Sequence, residues 1–135
     1  MDRLLEIIRA MRRRFDDGEH SDVLRLTFDD YGVCLWGDNT AEEPILRATF
    51  AWESVTRICF KDNGPSFTDL LYVFTRERTQ ALIVPLETMG GGEFWRQLRA
   101  RGLFPPRLHE RATRSMDGRY YCWPPLGSRD EAPDR

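Results

Sequence analysis

Between Ile45 and Pro85 the chain carries four short apolar runs, Ile45 to Phe50, Val55 to Phe60, Leu70 to Phe74 and Ala81 to Val84, each bounded by turn-forming residues. Runs of this length between turn signals are the pattern of antiparallel strands. Upstream, Val23 to Phe28 alternates. Leu24, Leu26 and Phe28 share one face and Arg25 and Thr27 the other, which predicts a half-buried strand. Asp29-Asp30-Tyr31-Gly32 supplies a turn in which Gly32 suits positive φ, and Val33 to Trp36 returns as the second strand. Ala51-Trp52-Glu53-Ser54 separates the third strand from the fourth, with Trp52 as a buried corner anchor. Lys61 to Pro65 and Arg76 to Thr79 read as turns, and Pro85, which cannot donate to a ladder, ends the sixth strand.

Helical spacing occurs on either side of this block. Leu4, Leu5, Ile8, Met11 and Phe15 fall on one face of a predicted helix over Asp2 to Phe15, with Arg9, Arg12 and Arg13 toward the other. Such a helix is expected to pack against the sheet or against a second copy of the chain, and a basic amphipathic helix can also lie on an anionic membrane. Gly90-Gly91-Gly92 reads as a flexible hinge before a helix over Glu93 to Arg101, with Gly102 after its end. A short helix over Leu108 to Met116 follows. Tyr120 to Trp123 is too apolar to hang free and is expected to lie across the core. The pattern predicts one α+β domain over residues 1–126, mainly antiparallel β. It is a meandering six-stranded sheet or half-open barrel closed by a C-terminal helix, with residues 127–135 as a disordered tail.

Composition supports a packed interior, with 41% hydrophobic and 12% aromatic residues in 135. The net charge of −2 conceals an uneven layout. The first fifteen residues are basic, Asp16 to Glu43 holds nine acids against Arg25, and Phe94 to Leu126 holds seven Arg against Glu110 and Asp117. This asymmetry predicts charge pairing within the chain or toward a partner. Candidate partner-binding residues are Asp29, Asp30, Glu42 and Glu43 on the acidic side and Arg96, Arg99, Arg107 and Arg111 on the basic side.

Catalytic chemistry finds little support. His20 and His109 stand in polar settings away from any Cys or Gly-x-Ser-x-Gly turn, so the chain reads as no enzyme. The acid pairs fit solvated turns better than a cation site, and no cofactor or metal is expected. Cys34, Cys59 and Cys122 are odd in number, far apart and outside any CxxC, which argues against a disulfide scaffold and against zinc. The arginines after Phe94, interleaved with aromatics, could follow a nucleic-acid backbone, but a pI near 5.7 argues against it. The opening Met-Asp-Arg-Leu-Leu-Glu is neither a signal peptide nor a membrane span, which predicts a cytoplasmic protein.

Four local features carry a resemblance. They are the Asp29 to Val33 hairpin, the Phe50-Ala51-Trp52-Glu53-Ser54-Val55 strand entry, Asp69-Leu70-Leu71-Tyr72, and Val84-Pro85-Leu86 leading to the Phe94 to Leu98 helix. Over Val23 to Gly102 the order of elements is similar to the pleckstrin-homology-like superfold, in particular its small bacterial members. The resemblance implies a noncatalytic binding or adaptor module. Its lipid-binding members need Lys and Arg on the first hairpin, where this chain has Asp29 and Asp30, so a protein partner is expected before a lipid. A second reading is an immunity protein that neutralises a toxin by covering a basic site with acidic surface.

Overall fold

The structure, a computed structural model, describes residues 23, 25–37, 45–64 and 68–133. The predicted helix over Asp2 to Phe15, together with Glu42 and Glu43, lies outside them. The strands are β1 (Arg25–Phe28), β2 (Gly32–Gly37), β3 (Ile45–Ala51), β4 (Val55–Lys61), β5 (Leu70–Thr75), β6 (Leu82–Pro85) and β7 (Tyr120–Trp123). Two helices, α1 (Gly91–Ala100) and α2 (Pro106–Arg114), stand between β6 and β7. The class is α+β and the paired strands are antiparallel, as the pattern predicts.

The arrangement differs from a single six-stranded sheet or half-open barrel. Among the described residues, β1-β2-β3 form one sheet and β6-β5-β4-β7 another, and no strand pairing joins the two. The chain passes between them through one 3-10 turn, Trp52–Ser54. The seventh strand was hidden because its partner is remote: β7 pairs with β4, placing Cys59 opposite Cys122.

That register corrects the reading of the cysteines, because Cys59 and Cys122 form a disulfide across 63 residues with Cα atoms 4.1 Å apart. Cys34 stays free. Spacing could not reveal the pair, since neighbouring strands bring together residues that sequence keeps apart. The tail also differs from the expected disorder over residues 127–133. Glu131 is buried and its carboxylate accepts the Leu126 and Gly127 N–H groups at 2.8 Å, while Ala132 N–H donates to the Tyr120 carbonyl. The donors of Leu126 and Ala132, both buried residues, are thereby satisfied.

One apolar cluster fills the space between the sheets and under the helices, including Leu35, Phe50, Phe60, Val73, Phe94 and Leu108. A second, with Tyr72, Phe74, Tyr120 and the disulfide, lies on the opposite face of the second sheet. All six residues of β5 are consequently buried, which explains its unbroken apolar run. Gly90 and Gly91, at the start of α1, are fixed rather than hinge-like. A Cβ on Gly91 would stand 2.6 Å from the Leu86 carbonyl oxygen, and one on Gly90, whose φ is +90°, would stand 2.4 Å from that of Leu26. Gly32 does not adopt positive φ; it is required because a Cβ there would meet the Phe50 carbonyl oxygen at 2.5 Å.

Candidate functional site

The β1–β2 turn is built by its own first residue. The Asp29 carboxylate accepts the N–H groups of Tyr31 (2.9 Å) and Gly32 (3.0 Å), and the Asp29 N–H donates to the Gly32 carbonyl. Those bonds from Gly32 and Tyr31 hold the Asp29 carboxyl below its usual pKa, with help from Arg101. Trp52 ties the turn to the body: its N–H donates to the Tyr31 carbonyl (3.0 Å) and its indole N–H to the Asp29 carbonyl (2.8 Å). The ring stacks on Phe94 of α1 and meets Phe28 edge-on, and the Arg101 guanidinium lies over it, 4.3 Å from the centroid. On this fixed turn Tyr31 is 84% exposed.

One cavity adjoins the turn and a second lies by the β5–β6 connection, and the two share Thr49, Phe50 and Ala51 of β3. The first, about 370 Å³, lies beside Tyr31 and includes Thr27, Gly32 and Cys34. The second, about 450 Å³, separates the end of β3 from Thr75, Glu77 and Arg78 of the β5–β6 connection. Both fall within the size range of ligand sites.

The sequence-predicted residues that are described do not converge. Asp29 and Asp30 sit on the turn, with Asp29 occupied as its cap and Asp30 exposed. Arg96 pairs with Glu93 at 2.7 Å on the open side of α1. Arg99 lies 5.8 Å from the Trp95 ring centre; its charge, after burial, lowers the pKa of His109, whose ring lies 5.1 Å from that of Trp95. Arg111 holds the chain end, donating to the Pro133 carbonyl while its guanidinium faces Tyr121. Arg107 is exposed on α2. Two of the four arginines thus brace the fold, and the basic region is no single patch.

Sequence reasoning missed Tyr31, Arg101 and the β3 edge. A tyrosine in an otherwise acidic turn was the available signal; the other two depend on packing between distant segments. Among the described residues, no group of three or more His, Cys, Asp or Glu could hold a metal ion, and no helix is long and apolar enough to cross a membrane. In comparisons with known proteins, the chain matches no family model, no curated protein and no solved structure.

Proposed function

We propose that this protein is a noncatalytic module that binds another protein through the corner formed by the β1–β2 turn and the end of β3. The carrying observation is Tyr31, a large amphipathic side chain 84% exposed on a turn that Asp29 and Trp52 hold from both sides. A rigid aromatic loses little conformational entropy on binding, the property that makes tyrosine a frequent anchor in interfaces. Asp30 beside it and exposed Glu53 across the corner favour a partner with basic groups. The likeness to pleckstrin-homology-like modules, most of which bind rather than catalyse, points the same way, although a fold carries no function by itself.

A photo-crosslinking residue in place of Tyr31, with one in place of Arg107 as control, tests this in extract of the native cell. The protein captured at position 31 is then purified and titrated. Tyr31→Ala should weaken it about 30-fold, the loss of an interface anchor worth about 2 kcal/mol, and leave the melting temperature unchanged. Binding that survives Tyr31→Ala but is lost in Arg107→Glu would move the site to the helices and overturn the reading.

A further inference from the structure

Resting on that reading, we propose that the partner contributes an extended segment that pairs as an added strand along the outer edge of β3. The three-stranded sheet has two edges. On the β1 side, Leu26 N–H donates to the Met89 carbonyl at 2.8 Å and Arg25 bridges to Met89. On the β3 side, no strand pairs among the described residues.

The register shows which groups that edge offers. Trp52 N–H donates to Tyr31, and the next opposed pairs are Ala51 with Gly32 and Phe50 with Val33. Bonded and non-bonded pairs alternate along an antiparallel ladder, so Phe50 bonds toward β2 while the main-chain groups of Thr49 and Ala51 face outward. The Ser54 hydroxyl donates to the Ala51 carbonyl at 2.8 Å, in keeping with that direction. The Thr49 N–H, the Thr49 C=O and the Ala51 N–H remain, at the spacing that an extended main chain matches.

These groups open into the 450 Å³ cavity, whose far wall is made by Thr75, Glu77 and Arg78. Further along the strand, Ile45 and Leu46 are exposed at 41% and 49% and offer apolar contact. The β5–β6 connection, through Glu77 and Arg78, bounds the cavity opposite Thr49 and Ala51, so that an added main chain would lie between the two. The occupant is therefore a single extended peptide.

Selection of displayed random peptides, each long enough to span the seven residues of β3, on the full-length protein supplies the probe. An enriched peptide should slow amide exchange at Thr49 and Ala51 at least about tenfold, and methylating one at a time those of its backbone nitrogens that lie opposite Ala48 to Ala51, beyond the bulge at Arg47, should weaken binding about tenfold at alternate residues only. The protein itself is unaltered in that scan, so misfolding cannot mimic the result. The added strand is overturned if no peptide enriches, if protection falls on α1 and α2 instead, or if methylation acts without alternation. Those failures leave Tyr31-dependent capture standing, whereas alternation without Tyr31 dependence would sink the anchor and keep the strand.

Discussion

Trp52 connects the turn, the first sheet and α1 through two hydrogen bonds and two ring contacts, and it is only 6% exposed. Its burial was legible, because a tryptophan between two strand patterns has few other uses. Its bond to the Asp29 carbonyl, 23 residues away, was not, since local pattern carries no information on such a distance. Trp52→Ala should cost about 3 to 5 kcal/mol in urea denaturation. A loss near 1 kcal/mol would show that the corner collapses around the gap. His109 supplies a pH test. Burial first, and then Arg99, lowers its pKa below the ordinary 6.5. The unfolded chain therefore takes up the proton first, so His109 favours the fold fully above that value and loses its contribution as the pH falls through it. His109→Gln should flatten the decline in melting temperature between about pH 7 and 5; an unchanged decline would assign it elsewhere.

At the level of elements, the first six strands were readable because each is short, apolar on at least one face and closed by turn residues. The first helix was readable from the spacing of Phe94, Trp95 and Leu98, and the second was expected over Leu108 to Met116, two residues later at either end than its observed Pro106–Arg114. The seventh strand carried its aromatics openly, but its place beside β4 depends on pairing over 63 residues, which is also why the disulfide escaped notice. Trp123, expected across the core, is instead partly exposed at the strand end, while Tyr120, Tyr121 and Cys122 point to buried ground. Closing so long a loop removes much freedom from the unfolded chain, and the paired variant Cys59→Ala with Cys122→Ala should lose about 4 kcal/mol. Against a typical domain stability of about 5 to 15 kcal/mol that is a large share. Equal denaturation midpoints for the variant and the parent chain would refute it.

Across the whole molecule, charge layout and architecture meet at one place, where Arg101 from the basic C-terminal region covers Trp52 and acts on Asp29 of the acidic turn. Part of the asymmetry visible in the sequence is therefore answered inside the fold. The acidic pair at Asp29 and Asp30 was legible as a surface, whereas the β3 edge beside it was not, because an open edge is defined by the strand that is missing. The link between β4 and β7 also sets how the molecule answers mechanical load. Under tension applied at Val23 and Pro133, the chain between Cys59 and Cys122 is shielded and cannot lengthen while the sulfurs stay joined. Adding a dithiol to the unfolded, stretched molecule should release that hidden length as one step of roughly 200 Å, from 63 residues at about 3.3 to 3.6 Å each. Optical-trap traces with and without the dithiol read the step directly, and equal contour lengths in both would mean that the two cysteines are not bonded.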